Sequence, residues 1–526
     1  MNKDKYYITT PIYYPSGKFH IGTAYTTVLA NTIKKYRQMK GFDAYMLTGL
    51  DEHGQKIQEV ALSRGKTPQE HVDEMADKAK KLWSEMQIEY DDFIRTTEER
   101  HVKIVQKIFQ RFIKNGDIYK GEYEGWYCTP CETYFTPTQL VDGKCPDCGR
   151  EVKKMKEEAY FFNMKKYQDR LIKFYEENPY FIDPAYRKNE IFNNFIKPGL
   201  EDLCVTRTSF DWGIKTPSDE KHVIYVWLDA LTNYITAIGY MSEDESKFKT
   251  YWPADIQIVG KDIIRFHAIY WPIFLMALDL PMPKKLLVHG WVLMKDGKMS
   301  KSKGNVIYPE TLINRYGLDA TKYFLLKILK DGQDGVFTPE GFVELFNTDL
   351  CNDLGNLLNR TIGMVNKYFD GVVPEKIEQT TSIDKNFEDV IEDCIKKYEE
   401  EMNEAHLSDA LSEIWKIISR ANKYIDETMP WVLYKEDKIE ELKNVMYHLV
   451  ESLRKIAILT KPAMEETSKE IIEQLGLKDT NLTNWDSIID YPAYEKIKVT
   501  EKGTPLFIRL DSDKEIEYLR DIITGK

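Results

Sequence analysis

Along the first part of the chain, apolar stretches that predict strands alternate with stretches whose apolar and polar positions predict helices. The stretch "KYYITTPIYY" at 5–14 predicts a buried strand, and residues 23–40 then follow as a helix that stops before Gly41. The stretch "DAYMLTGLDEHG" at 43–54 predicts a second short strand that ends in a polar cluster. Strand, helix and strand in this order indicate a parallel, doubly wound sheet.

Residues 116–220 interrupt this alternation with a cysteine cluster and several glycines, followed by four prolines at 179, 184, 198 and 217, so we expect an insertion there. The alternation then resumes, and three apolar stretches predict further strands: "HVIYVWLDAL", "DIQIVGKD" and "KLLVHGWVL". From about residue 340 apolar residues recur at steps of three and four, which is typical of helices packed in a bundle. The predicted fold is therefore α/β, with a Rossmann-like parallel sheet split in sequence and followed by an all-α bundle.

Length, charge and composition limit the classes of protein to which the chain can belong. The chain has 526 residues, enough for three or four domains at about 150 residues each. Its net charge of −12 argues against indiscriminate nucleic-acid binding, although local lysine clusters can still meet a specific polyanion. The start lacks a secretory pattern, and no apolar run reaches the roughly 18–20 residues that a membrane span requires. We expect a cytoplasmic protein with no membrane partner.

Four of the seven cysteines form two C-x-x-C pairs. Cys128 and Cys131 form the first pair, and thirteen intervening residues separate it from the second pair, Cys145 and Cys148. Two such turns can direct four thiolates at one point, which predicts a tetrahedral site for one structural Zn²⁺. Reduced thiols without metal, or two disulfides, are the alternatives.

Two polar stretches have the composition of phosphate-binding loops. In "FHIGT", His20 stands two residues before Gly22 at a predicted strand-to-helix turn, a pattern that is weak on its own. In "MKDGKMSKSKGN" at 294–305, Lys298 and Lys301 belong to a lysine-rich segment with two glycines. Compact cations on a mobile loop suit a polyphosphate whose charge shifts during reaction. A solvated basic loop is the alternative; we favour the first because both halves of the split sheet carry such a stretch.

"FHIGT" and "KMSKS" resemble the two signature sequences of class I aminoacyl-tRNA synthetases. In detail the chain resembles the bacterial methionyl-tRNA synthetase family, in "TTPIYYPSGKFHIG", "TGLDEHGQKIQE", "DDFIRTTEERH", "GDIYKGEYEGWYC", "VWLDALTNY" and "HGWVLMKDGKMSKSKGNV". The likeness runs from about residue 5 to beyond 430. It implies activation of L-methionine by ATP with Mg²⁺, and transfer of methionine to the 3′ end of initiator and elongator tRNA(Met).

The resemblance also implies roles for individual residues. The catalytic candidates are His20, Thr23, Lys298 and Lys301, and the ATP-binding candidates are His20, Gly22, Gly260, Asp262 and Lys301. Thr23 replaces the second histidine of the family's first signature. Because threonine offers only a neutral hydrogen bond, we expect a loss of about 1–3 kcal/mol in transition-state stabilisation unless another group, such as Lys18, compensates.

The methionine pocket and the anticodon site follow from matching motif positions. The methionine-binding candidates are Ile12, Tyr14, Asp51, Trp227, Ala230, Tyr234 and His267. Asp51 would pair with the substrate ammonium group, and aromatic walls suit a thioether. The anticodon-binding candidates are Asn356, Arg360 and Trp431. Asn356 and Arg360 share a helix face, and Trp431 could stack on a base or be buried between helices.

The expected domain boundaries combine these features: 1–115, first half of the catalytic domain; 116–220, connective insertion with a zinc ribbon; 221–335, second half with the lysine loop; 336–350, connecting segment; 351–500, helical anticodon-binding bundle; 501–526, C-terminal tail and helix. Many relatives continue into a dimerising tRNA-binding domain, and its absence here leads us to expect a monomer.

Other functions remain open at this point. Synthetases for isoleucine, valine and leucine carry a large editing domain, for which the insertion has little room. A cysteine-specific synthetase would hold a catalytic zinc through scattered ligands, and a small nucleotidyltransferase would not need the bundle. A non-catalytic zinc-ribbon RNA-binding protein fits the cysteines and the bundle, but not the split sheet, "KMSKS" or Asp51.

Overall fold

The computed structural model of the chain describes residues 4–131, 133–135, 137–299, 304–330, 332–377 and 380–525. Its strands are β1 (Lys5–Tyr13), β2 (Asp43–Leu50), β3 (Asp92–Arg95), β4 (Ile118–Cys128), β5 (Thr133–Phe135), β6 (Lys153–Phe162), β7 (Ile182–Asp183), β8 (Leu203–Cys204), β9 (Thr206–Arg207), β10 (Lys215–Thr216), β11 (Asp219–Ile224), β12 (Ile256–Gly260), β13 (Leu286–His289), β14 (Val292–Met294), β15 (Gly297–Lys298) and β16 (Gly335–Val336).

The α-helices are α1 (Ile21–Met39), α2 (Gln55–Ser63), α3 (Pro68–Glu85), α4 (Glu99–Lys114), α5 (Gln168–Glu177), α6 (Ala185–Ile191), α7 (Val226–Leu231), α8 (Asn233–Thr236), α9 (Ser246–Tyr251), α10 (Trp271–Ala277), α11 (Pro309–Tyr316), α12 (Leu318–Ile328), α13 (Pro339–Leu345), α14 (Asn356–Phe369), α15 (Ser382–Glu404), α16 (Leu407–Thr428), α17 (Pro430–Lys435), α18 (Ile439–Thr460), α19 (Glu465–Gln474) and α20 (Ser512–Thr524). Wider π-helical turns occupy Phe192–Ile196, Phe266–Tyr270 and Phe346–Gly355.

The chain forms two compact units, each built from two segments of sequence. The first unit comprises Met1–Phe19 and Phe42–Gly290, and the second comprises His20–Gly41 and Trp291–Lys526. The first unit therefore holds the sheet that includes β1, whereas helix α1, which follows β1 directly, belongs to the second unit.

A six-stranded parallel sheet is the centre of the first unit. Its strands lie in the order β3-β2-β1-β12-β13-β7. Central strand β1 pairs in parallel with β2 on one side and with β12 on the other, so Ile8 lies between Met46 and Ile256. Strands from before and after the insertion thus lie side by side, and the predicted split, doubly wound sheet is confirmed.

The insertion contributes two antiparallel sheets to the first unit. One has the order β5-β4-β6-β8 and the other β10-β11-β9. The long β4–β6 hairpin sets Gly121 opposite Ala159 and carries Cys128 at the end of β4. The cysteine cluster therefore stands on an antiparallel frame that is separate from the parallel sheet.

The predicted strand at 222–231 is only half correct. Strand β11 ends at Ile224, and helix α7 begins at Val226 after Tyr225, so Trp227 and Ala230 lie on a helix rather than in a strand. β11 also belongs to the β10-β11-β9 sheet and not to the parallel sheet. Short, continuously apolar runs are equally consistent with a buried strand and a buried helix. The spacing of apolar residues therefore could not show where the strand ends and the helix begins.

The predicted strand at 285–293 is likewise divided. β13 ends at His289 in the first unit, and β14 begins at Val292 in the second. In the second unit β14 lies at the centre of a small sheet in the order β15-β14-β16. Its pairing explains the break, because β14 takes antiparallel β15 and parallel β16 as neighbours instead of extending β13.

Helices dominate the remainder of the second unit, which confirms the predicted all-α region. Helix α1 occupies Ile21–Met39, against the predicted 23–40, and Gly41 follows it with φ +89°. In α16 the periodic apolar residues Leu411, Ile414 and Ile418 are buried, as their spacing predicts. Among the described residues, no helix is both long enough and apolar enough to cross a bilayer.

Candidate active site, metal centre and anticodon face

His20 is the N-cap residue of α1 in the second unit. Its backbone is extended, and its Nδ1 accepts a hydrogen bond from the Gly22 amide at 3.1 Å. In a neutral imidazole an accepting Nδ1 leaves the proton on Nε2, which is then a donor. The Nε2–H group of the ring therefore lies at the positive end of the helix dipole, an arrangement that favours anions.

Gly22 lets the His20 ring fold back over the start of the helix. A Cβ at position 22 would lie 3.1 Å from both Nδ1 and Cε1 of His20, which is tighter than most Cβ contacts. Thr23 is the next residue of α1, and its amide donates to the His20 carbonyl at 2.9 Å. Glycine at position 22 leaves room for the His20 ring at the helix cap, which explains the His-x-Gly spacing.

The lysine segment is described on either side of residues 300–303, so Lys301 lies outside the described residues. Lys298 is in β15, where its Nζ lies 4.1 Å from the centre of the Trp291 ring. The Asn305 amide donates to Asp296 at 2.7 Å and thereby links the two ends of the segment. Gly297 has φ +107°, which a residue with a side chain adopts only with strain.

In the first unit, the Tyr234 hydroxyl and the His267 imidazole form a buried pair. The Tyr234 hydroxyl lies 2.7 Å from Nε2 of His267, and Nδ1 donates to the Ile263 carbonyl at 3.0 Å. Burial lowers the pKa of His267 to about 4 and raises the pKa of Tyr234. Both groups are therefore uncharged at neutral pH.

Trp227 and Ala230 lie one turn apart on α7. The Trp227 ring stacks on Phe266 with 3.6 Å between ring centres and 12° between planes. Ala230 is buried. Phe266 precedes His267 on the π-helical turn Phe266–Tyr270. An aromatic stack, a small side chain and an uncharged histidine thus come from two neighbouring segments, a combination that suits an apolar, polarisable ligand.

Ile12, Tyr14 and Asp51 lie where the central parallel strands end. Ile12 is opposite Gly49 after an irregularity in the β1–β2 register, and Asp51 directly follows β2. Asp51 is 8% exposed, and its amide donates to the Tyr13 carbonyl at 3.0 Å. The carboxyl ends of parallel strands are the usual ligand-binding edge of such sheets. The Lys56 ammonium group lies 5.3 Å from the centre of the Tyr14 ring.

Gly260 ends β12 at the same edge. A Cβ at this position would lie 2.6 Å from Oδ1 of Asp262, a distance that real Cβ atoms do not reach. The glycine therefore allows the Asp262 carboxylate to fold over the end of the strand.

Sequence analysis missed a buried network that joins three of the quoted motifs. The Asp229 carboxylate accepts from Nδ1 of His53 and from Nε2 of His101, both at 2.7 Å. Burial opposes ionisation of Asp229, but the two histidines outweigh it and hold its pKa below the usual value. The only hint was the polar residues inside "DEHG", "TEERH" and "VWLDAL", and no pattern in the sequence indicates that they meet.

The four clustered cysteines converge in the first unit. All four Sγ atoms lie within 4.8 Å of one another, with Cys128 and Cys148 at 3.5 Å and Cys131 and Cys145 at 3.8 Å. None of them forms a disulfide, so that alternative is wrong. Burial raises the pKa of the Cys128 thiol to about 12, so this group favours its thiolate form only beside a cation. The donor set fits a metal ion with a closed, structural coordination shell.

The candidates for base recognition lie in the helical part of the second unit. Asn356 and Arg360 are one turn apart on α14, and Nη2 of Arg360 lies 3.3 Å from Oδ1 of Asp426. Trp431 in α17 is 46% exposed, so the alternative that it is buried between helices is wrong.

Comparison with known proteins gives matches over nearly the whole chain. A family model described as tRNA synthetases class I (M) matches residues 6–156 and 150–362. A second, described as the anticodon binding domain of methionyl tRNA ligase, matches residues 373–518. The methionine–tRNA ligase of Bacillus subtilis (strain 168) is 57% identical over 99% of this chain and 80% of its own length. That of Listeria monocytogenes serovar 1/2a is 56% identical over 99% and 81%.

Solved structures agree with these matches. A Mycobacterium tuberculosis methionyl-tRNA synthetase in complex with methionyl-adenylate superposes with a TM-score of 0.90 and 36% identity, over 96% of this chain and 100% of that one. The free form of that enzyme gives a TM-score of 0.84. The chain therefore belongs to the methionine–tRNA ligase family of class I aminoacyl-tRNA synthetases.

Proposed function

We propose that this chain activates L-methionine with ATP to give methionyl-adenylate and pyrophosphate, and then transfers methionine to the 3′ end of tRNA(Met). The observation that carries the proposal is the match, at a TM-score of 0.90, to a synthetase bound to methionyl-adenylate. In the first step a methionine carboxylate oxygen attacks the α-phosphorus, a new P–O bond forms, and the bond to the bridging oxygen breaks as pyrophosphate leaves. Such chemistry needs positioning and charge stabilisation rather than a protein nucleophile.

The first unit would recognise the amino acid. Asp51 supplies a carboxylate for the substrate ammonium group, and the stack of Trp227 on Phe266 offers a flat, polarisable wall for the thioether. The uncharged Tyr234–His267 pair adds polar groups without a charge that would oppose an apolar side chain. Ile12, Tyr14 and Ala230 complete the proposed pocket. Gly260 and Asp262, at the end of β12, are proposed contacts for the nucleotide.

The second unit would handle the phosphates. His20 would donate through Nε2–H at the start of α1, where the helix dipole is positive. Lys298 and Lys301 are proposed to stabilise the charge of the departing pyrophosphate. Mg²⁺ bound with ATP would neutralise phosphate charge.

We assign Zn²⁺ to the four-cysteine site as a structural ion. A set of four thiol ligands with mutual distances under 4.8 Å matches the softness and the tetrahedral geometry that zinc prefers. None of the seven cysteines, all of which the structure describes, forms a disulfide. This supports a reducing compartment, and we propose the cytoplasm.

The RNA partner is proposed to be tRNA(Met), both initiator and elongator, because the two share an anticodon. Asn356 and Arg360 offer hydrogen bonds to base edges, and exposed Trp431 offers a stacking surface. The match of residues 373–518 to an anticodon-binding family supports this assignment.

Amino-acid-dependent ATP–pyrophosphate exchange tests the proposal. Methionine is compared with leucine, isoleucine, valine and cysteine at equal concentration. We expect exchange with methionine and little with the others. Exchange with a different amino acid would overturn the pocket assignment, and absence of exchange with all five would indicate a tRNA-binding protein on a synthetase fold.

A further inference from the structure

Gly363 stands in the interior of α14 although the structure does not require a glycine there. It is exposed and has ordinary helical backbone geometry. Among the residues that the structure describes, none has an atom within 4 Å of a Cβ at this position, so alanine would fit without moving any of them. Glycine in an exposed helix interior is destabilising relative to alanine. Packing and backbone conformation within the chain therefore leave this residue unexplained.

The face of α14 around Gly363 has a distinct chemical character. At 3.6 residues per turn, Asn356, Arg360, Gly363 and Lys367 fall within about 60° of arc, opposite the buried side of the helix. Arg360 and Lys367 flank the glycine one turn to each side. Helix α14 contains no aspartate or glutamate, in a chain whose net charge is −12. This face thus presents bare backbone between two cations.

Neighbouring groups extend this surface. The Lys367 ammonium group lies 5.3 Å from the centre of the Tyr368 ring, and Tyr368 stacks on Tyr434 with 4.6 Å between ring centres. Tyr434 is 46% exposed. The 3.3 Å contact between Arg360 and Asp426 is solvent-screened, since Asp426 is 69% exposed, so the guanidinium group can exchange this partner for an anion.

We propose that the sugar–phosphate backbone of the tRNA anticodon loop passes in contact with α14 at Gly363, with Arg360 and Lys367 on either side of it. This inference rests on the proposed function, which places the anticodon at Asn356 and Arg360. Positive charge on both sides complements phosphates. The missing side chain at position 363 lets the RNA backbone approach more closely than any other residue would.

The test is Gly363→Ala, with Gly363→Leu as a larger step. Since alanine favours the helix, Gly363→Ala should raise the melting temperature by about 1–3 °C. Methionine-dependent pyrophosphate exchange should stay unchanged. The KM for tRNA(Met) in aminoacylation should rise about tenfold for alanine and further for leucine, because an added group must fit into a close contact.

Asn359→Ala is the matched control. It also raises helix propensity on an exposed part of α14, one turn before Gly363 and about 40° around the helix from it, but it removes side-chain atoms from the surface instead of adding them. An equal rise in the KM for tRNA with this variant would mean that helix stiffness is responsible, and would overturn the proposed contact. Unchanged KM for tRNA in both Gly363 variants would do the same.

Two further measurements separate this inference from the proposed function. If the wild-type chain shows no methionine-dependent exchange, the proposed function fails. If Arg360→Ala raises the KM for tRNA while both Gly363 variants behave as wild type, the anticodon assignment stands and the contact at Gly363 alone fails.

Discussion

The Tyr234 hydroxyl donates to Nε2 of His267 over 2.7 Å, and the bond made by the other nitrogen of the ring fixes this direction. Because Nδ1 donates to the Ile263 carbonyl, Nε2 must accept, and the ring is neutral in this arrangement. Burial lowers the pKa of His267 to about 4, so neutrality holds throughout the physiological range. The proposed methionine pocket therefore has a polar but uncharged wall.

Stability should fall in acid because of His267. Its folded-state pKa of about 4 lies below the ordinary value of 6.5, so unfolding takes up a proton between these pH values. The histidine's contribution to the free energy of unfolding is therefore constant above about pH 6.5. It falls by about 3 kcal/mol between pH 6.5 and 4, and then levels off. Urea unfolding at several pH values measures this.

The comparison variant for this experiment is His267→Gln. It removes the titrating group, so its unfolding free energy should fall less steeply than that of the wild type between pH 6.5 and 4. Parallel curves for the two proteins across that interval would contradict a buried, neutral His267.

Asp51→Asn should weaken methionine binding. The substitution keeps the shape of the side chain and removes the charge that pairs with the substrate ammonium group. We expect the KM for methionine in pyrophosphate exchange to rise about 10- to 150-fold, with the KM for ATP changed much less. Asp43→Asn, at the opposite end of β2 and paired with Lys5 on the surface, is the control and should behave as wild type. A similar effect from both substitutions would argue against the assignment.

Gly22→Ala should impair catalysis without unfolding the chain. The added Cβ would press on the His20 ring, displacing Nε2, and misplacement on this scale can lower kcat about 10- to 100-fold. The matched control is Gly341→Ala, because a Cβ there would also crowd its own helix cap, at 2.8 Å from the Thr338 hydroxyl. Exchange kinetics should be normal in this control. Normal kinetics in Gly22→Ala would show that the His20 position does not matter.

Lys298→Ala should lower kcat for pyrophosphate exchange by about 100-fold while the KM for ATP changes little, because its charge would act mainly as pyrophosphate leaves. Lys295→Ala tests whether any nearby lysine has this effect, since Lys295 lies in the same hairpin and 3.6 Å from Glu340. Equal losses of kcat from the two substitutions would mean that only the total positive charge of the segment matters, and not the position of Lys298.

Removing two thiols should abolish metal binding. Metal analysis of the purified wild-type chain should give one zinc per chain, and the double variant Cys128→Ala/Cys131→Ala should give none. We also expect faster proteolytic cleavage within 116–220 in the variant, because metal ligation there contributes folding free energy. Cys394→Ala, outside the cluster, should retain the metal. A zinc-free but fully folded wild type would rule out the structural role.

Local chemistry explains what the sequence predicted well. The apolar stretch of β1, the stop at Gly41 and the periodic apolar residues of α16 each follow from near neighbours in the chain, and each is confirmed. The convergence of Cys128 with Cys148 was also predictable, because two short turns determine it.

Features that depend on distant segments were not predictable in this way. The junction between β11 and α7 depends on the segments against which each of them packs. Its apolar residues are compatible with either a strand or a helix. Asp229 looks like an ordinary helix residue until His53 and His101 arrive from 176 and 128 positions away. Such networks arise only once the fold is formed.

The π-helical turn at Phe266–Tyr270 has a consequence for how this pocket can change by mutation. A π turn amounts to an α-helix with one residue inserted. Loss of a single residue within it would restore an ordinary helical turn while both ends of the helix stay in place, but the side chains of the turn would shift by one position, about 100° around the axis.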